Sequence, residues 1–255
     1  MRLVKPKAEL LLQQPGLEGV YKQIELAGRT CYKSTDKITE YSAKPFVDRM
    51  INSKHTAMLE HGTVYLKRIV DYSKDDYNIF EDSYEQNPYS KITYDSGVCY
   101  VTTNLRVLVE HNWLDDLKYI CEPTEYHKKR YTFRLTTSIG VTRELNRHRV
   151  NSIAEQSTRY CNYSKDKFGG EITFCIPSWL NIPEGNAYWY DGINYRIQPE
   201  NDPNFEAMIS VRPGDYFTKE QAVELDVWLD SLDVAEHNYE IPEIAEKLSK
   251  IIYEL

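Results

Sequence analysis

The chain has 255 residues, 41% of them apolar, enough to bury a core in one large domain or two small ones. Its 39 acidic and 31 basic residues leave a formal charge of −8 and a pI near 5.4. That balance excludes a surface built throughout for nucleic acid or anionic lipid, but leaves room for a local basic pocket that takes a phosphorylated small molecule. Charged residues at 27% and aromatics at 13%, with 21 tyrosines, exclude a disordered chain.

No run of about 18 apolar residues occurs, so no membrane span is expected. Lys5, Lys7 and Glu9 interrupt the first twelve residues, which predicts no signal peptide. Cys31, Cys99, Cys121, Cys161 and Cys175 are odd in number and form no C-x-x-C pair. Reduced thiols in a cytoplasmic protein are expected, without a disulfide framework or a structural zinc site.

Apolar spacing at Leu17, Val20, Tyr21, Ile24 and Gly28 predicts a helix over 17–29, after Pro15-Gly16. A second helix is expected over 44–52, with Pro45 in its first turn. Residues 63–70, rich in β-branched and aromatic types, read as a strand. Residues 71–95 are acidic, tyrosine-rich and aperiodic, and read as an irregular excursion. Short helices are expected over 103–110 and 114–120, then a strand over 131–137 leading through Ser138 into a further helix. Another strand covers 171–176, and residues 181–206, with three prolines and the run Tyr188-Trp189-Tyr190, read as irregular, an ordered loop anchored by its aromatics. Amphipathic helices are expected over 219–239 and 243–255, separated by Pro242. Helices joined to a few strands without regular alternation predict a single α+β domain, a small mixed or antiparallel sheet surrounded by helices.

The densest polar stretch, 143–160, holds Arg143, Arg147, His148, Arg149 and Arg159 with Glu144, Glu155, Ser152 and Ser157. On a continuing helix Arg143 and Arg147 share a face, while Arg149 points elsewhere, so one short helix would present guanidinium forks to two ligands. Guanidinium suits bidentate capture of phosphate or of a carbonyl–imide edge. The competing reading is a solvated face whose arginines are neutralised by Glu144 and Glu155. Because the run lies between two strands, it is expected in the interior of the fold.

Arg147-His148-Arg149, then seven residues, then Ser157 resembles the R-H-R-x7-S signature of the flavin-dependent thymidylate synthases. Ser152, Glu155 and Arg159-Tyr160 also fall where that family places such residues. Upstream, His55 to Gly62 resembles the family's H-x-x-x-x-E-H element, and Ala27 to Ser34 its A-x-x-x-C-Y-x-S turn; Phe174 to Pro177 resembles its F-x-I-P strand. The resemblance implies that family's fold over 1–255, with insertions at about 71–130 and 181–214. It implies conversion of dUMP to dTMP in a homotetramer with shared sites, with methylenetetrahydrofolate and NADPH as co-substrates and FAD as cofactor. It further implies that Glu144, Arg147, Glu155, Gln156, Ser157, Thr158 and Arg159 line the dUMP site, with Ser157 and Arg159 closest to the chemistry. His55, Arg147, His148, Arg149 and Glu155 would contact FAD.

Ser157 reads as a substrate hydrogen-bond donor, since no general base stands beside it in sequence. His55 and His61 match neither metalloprotease spacing, and no metal is expected. His111, His127 and His237 read as surface or packing residues. One departure from the family supports an alternative. After Tyr239 the chain passes through Pro242 directly into what resembles the family's terminal helix, and no arginine follows Arg212. The alternative is a non-catalytic or impaired nucleotide- or flavin-binding protein on the same scaffold.

Overall fold

Leu17, Val20, Tyr21 and Ile24 do build one side of a long first helix, and its packing explains the spacing. The computed structural model describes residues 2–70, 77–148, 150–161, 172–178, 183–189, 194–199 and 207–210. In chain order these form β1 (Arg2–Val4), β2 (Lys7–Leu11), α1 (Gly16–Cys31), α2 (Ala43–Asn52), β3 (Thr63–Ile69), α3 (Tyr77–Gln86), β4 (Lys91–Asp95), β5 (Val98–Asn104) and α4 (Leu105–Glu110). They continue with β6 (Thr132–Thr136), α5 (Ile139–Leu145), β7 (Thr173–Cys175), β8 (Gly185–Trp189), β9 (Asn194–Pro199) and β10 (Ala207–Ser210). The chain divides into two compact units: Met1–Ala8, Leu135–His148 and Thr158–Leu255 form one, Glu9–Arg134 and Arg149–Ser157 the other.

The first unit holds α5 and a five-stranded sheet in the order β10-β9-β8-β1-β7. β1 runs parallel to β7, with Leu3 opposite Phe174, and antiparallel to β8. Leu3 and Ile176 are buried in this unit. The irregular reading of 181–206 is therefore corrected: Tyr188 pairs with Arg196 and Trp189 with Tyr195 in an antiparallel hairpin. Prolines misled because Pro199 ends a strand, where no ladder donor is needed. The expected strand over 171–176 is present as β7 in its central residues. The helices expected over 219–239 and 243–255 lie outside the described residues, as do Tyr190 and His237.

The second unit holds α1 to α4 and the antiparallel sheet β3-β5-β4. α1 and α2 match expectation to within two residues at each end. They pack closely because Gly28 has no side chain: a Cβ there would lie 2.6 Å from the Phe46 ring. Val20, Ile24, Val47, Leu59, Val64, Leu66, Val101, Leu105 and Leu108 form the core between these helices and the sheet. Each such side chain contributes about 1.5–3 kcal/mol by leaving water.

The reading of 71–95 as irregular is also corrected. α3 buries Phe80, Glu81 and Tyr84, and Tyr84 Oη donates to Asp116 Oδ2 at 2.9 Å. β4 and β5 form a hairpin whose turn residues Ser96 and Gly97 both take positive φ (47° and 77°), the conformation of a type I′ turn. The helix expected from Thr103 starts two residues later, because β5 runs through Thr103 and Asn104; the Asn104 side chain then caps α4, accepting from the Val107 amide at 3.1 Å. Residues 114–119 form a 3-10 turn. Among the described residues no two cysteines form a disulfide.

Candidate functional site

The expected helix after Ser138 forms, but it is short. α5 ends at Leu145, Asn146 caps it, and the amides of Arg147 and His148 bond to the carbonyls of Glu144 and Leu145 at 3.1 and 3.0 Å. Arg143 and Arg147 therefore do not share a continuing helix face, and Arg147 and His148 sit in the turn beyond the helix. The interior placement is corrected as well. Arg143, Glu144, Arg147 and His148 are exposed, and no residue of α5 is buried. The next apolar residue after Leu145, Val150, is 95% exposed and gives the chain no apolar anchor there. Arg147 Nη1 donates to Glu144 Oε2 at 2.9 Å, the neutralising pair of the competing reading. Arg149 lies outside the described residues.

The second half of the signature is differently held. Glu155, Gln156 and Ser157 are half-buried, in a segment that belongs to no helix or strand. The Ser157 amide donates to the carbonyl of Cys31 at 2.9 Å. This bond joins two segments singled out in the sequence, the signature serine and the C-terminal end of α1. α1 is itself fixed there: Glu25, only 1% exposed, accepts from Arg29 Nε at 2.6 Å and from Ser42 Oγ at 2.9 Å. Arg29 also lies over the Phe46 ring. Thr158, Arg159 and Tyr160 follow in an exposed turn.

The His55–Gly62 segment is a 3-10 turn, Thr56–His61, with His55 exposed at its start. α4 holds the turn in place: Thr56 Oγ1 donates to Glu110 Oε1 at 2.6 Å, and Arg106 bridges Glu60 and Glu110. His61 is half-buried, and burial pushes its imidazole below the ordinary value; Glu60 opposes that shift and Arg130 adds to it. Sequence patterns gave no sign of Arg130, a lone arginine in a basic run. Its Nη2 donates to the Glu60 carbonyl at 3.2 Å and to Ser152 Oγ at 3.4 Å, while its buried Nη1 has no hydrogen-bond partner. Ser152 belongs to the signature segment, so Arg130 ties that segment to the His55–Gly62 turn.

The second unit thus brings together three of the sequence-predicted segments: the end of α1, the 3-10 turn and residues 152–157. His127 is buried, bonded to the Leu66 carbonyl at 3.0 Å and set edge-on to Tyr65 and Tyr100, a packing residue as expected. His111 is exposed and stacks on Trp113. Burial raises the thiols of Cys99 (to about 12), Cys121 and Cys175, which leaves these three protonated and unactivated near neutral pH.

Residues 120–252 match the family model described as thymidylate synthase complementing protein. The chain belongs to this family, the flavin-dependent thymidylate synthases. No curated protein and no solved structure matches it. The match contains the whole signature and Arg130. It begins after the end of α1 and the 3-10 turn, and those segments meet the matched region through the Ser157 and Arg130 bonds. The family is one of thymidylate synthase-type methyltransferases, acting in nucleotide biosynthesis. The helices and small sheets described above make the chain α+β. Among the described residues no helix is long and apolar enough to cross a membrane.

The donor set fits a flat, anionic flavin nucleotide. Arg143 and His148 are exposed with no ion pair among the described residues, and the Arg147–Glu144 pair is open to solvent, so their nitrogen donors are available to a pyrophosphate at little desolvation cost.

Proposed function

We propose that this chain converts dUMP to dTMP by reductive methylation, with methylenetetrahydrofolate as one-carbon donor and NADPH as reductant, as a cytoplasmic homotetramer that shares sites between subunits. The observation that carries this reading is the bond from the Ser157 amide to Cys31, which seats the signature serine on a second family-like segment. FAD, when bound, supplies the hydride that completes the methyl group. Arg147, His148 and Arg149, with His55 and Glu155, would hold it.

Glu144, Arg147, Gln156, Thr158 and Arg159 would line the nucleotide, their guanidiniums holding its phosphate and stabilising negative charge on the uracil ring. Ser157 would donate a hydrogen bond to the base. Its half-buried position keeps part of the water away from that contact.

The test is growth of a thymidine-requiring host that carries this gene, paired with the absorbance of the purified protein. Growth without thymidine, and an oxidised-flavin band that responds to dUMP, are the expected results; neither growth nor flavin would refute the reading. The direct passage from Tyr239 through Pro242 into a segment that resembles the family's terminal helix favours a second reading, a protein that binds nucleotide or flavin without turnover. A dUMP-responsive flavin band without growth would select it.

A further inference from the structure

We propose that Arg130 is a positioning residue for the dUMP site, acting through Ser152 to fix the half of the signature that carries Glu155, Gln156 and Ser157. This rests on the proposed synthase reading. Both ends of the segment are anchored in the second unit. At its far end the Ser157 amide is fixed on Cys31; at its near end Ser152 accepts from Arg130 Nη2. Between them the backbone belongs to no helix or strand, so no ladder of its own sets its course.

Arg130 is well placed to act as a fixed post. Its amide donates to Tyr65 Oη at 3.3 Å, and its Nη2 also donates to the Glu60 carbonyl. Glu60 is held through its carboxylate by Arg106, which is braced by Glu110, the acceptor for Thr56. A continuous polar path therefore runs from α4 through the 3-10 turn to Ser152. The buried Nη1, with no hydrogen-bond partner among the described residues, marks the site as one where stability alone does not account for the residue: an aliphatic side chain of similar size would avoid that desolvation cost.

The test uses the full-length protein with Arg130→Met, Arg130→Lys, Ser152→Ala and the Arg130→Met/Ser152→Ala double variant. Amide hydrogen exchange over residues 152–157 is measured without ligand, and dUMP KM and kcat are measured with saturating co-substrates. The expected results are exchange about tenfold faster in Arg130→Met and Ser152→Ala, and a dUMP KM raised about tenfold with kcat changed less. The double variant is no worse than Arg130→Met, and Arg130→Lys recovers part of the loss.

Unchanged exchange over 152–157 overturns the proposal. So does faster exchange with an unchanged dUMP KM, or additive effects in the double variant. If Arg130→Met fails to fold, Ser152→Ala carries the same two readouts with only a hydroxyl removed. A wild-type protein that never converts dUMP refutes the synthase reading alone, and the exchange measurement still decides whether Arg130 fixes the segment.

Discussion

Replacing Arg147 with alanine separates a working site from a solvated helix end. In the free protein the side chains of Arg147 and Glu144 are 73% and 64% exposed and bond three residues apart. Such a pair is worth about 0.3–0.5 kcal/mol, which for a chain of this size moves the melting temperature by no more than about 2 °C. A guanidinium that holds a phosphate or a developing charge is worth about 1.5–3 kcal/mol, so its loss costs roughly ten- to hundredfold in affinity or turnover. Differential scanning fluorimetry and chromatographic measurement of dTMP formation report the two quantities independently. Arg147→Ala is expected to melt within about 2 °C of wild type while dTMP formation falls by at least about tenfold. Arg147→Lys keeps the charge without the fork and falls between the two. Unaltered dTMP formation in Arg147→Ala, in a protein whose wild type is active, would refute the assignment of this arginine.

Three further outcomes concern the second unit. Leu59 is wholly buried within the 3-10 turn, so Leu59→Ala should cost about 2–5 kcal/mol in urea unfolding. Tyr84→Phe removes the donor to Asp116, whose carboxyl burial already raises; it should cost about 1.5–3 kcal/mol near pH 8 and less once the pH is low enough to protonate Asp116. His61 and His127 both have imidazoles depressed by burial, so the unfolded chain binds more protons between the depressed folded values and the ordinary one. Their contribution is full above about pH 6.5 and is lost as pH falls through the folded values, and His61→Gln should flatten that acid limb in urea titrations run near pH 5 and pH 7.5.

Helices with an aliphatic stripe were legible in the sequence, as α1 and α2 show. α3 was not, because the side chains it buries among those described are Phe80, Glu81 and Tyr84, and a buried acid and tyrosine look like surface residues in a pattern built on aliphatics. β5 was lost for the opposite reason. Nearly every residue from Cys99 to Asn104 is buried, so the strand shows no alternation and its end merged with the next helix. The signature was legible as a string of residue types, but not its backbone: nothing in R-E-L-N-R-H-R marks a stop at Leu145. That stop follows from the lack of buried residues on α5. Arg130 carried no motif because its role is defined by Ser152 and Glu60, which are distant in sequence.

The pairing of β1 with β7 and β8 also sets an order of events at the ribosome. Arg2 lies opposite Thr173 and Asn186, so β1 has no partner in its sheet until more than a hundred further residues have been synthesised. At 5–20 residues per second that wait is roughly ten to thirty seconds. The second unit has all its residues once Ser157 emerges and can condense first, around residues already present. Meanwhile Leu3, buried in the finished protein, stays in an unpaired strand that offers an open edge to other nascent chains. Arrested chains released before Thr173 should therefore hold a protease-resistant second unit and aggregate through their first residues, which Arg2→Pro or Leu3→Lys would suppress.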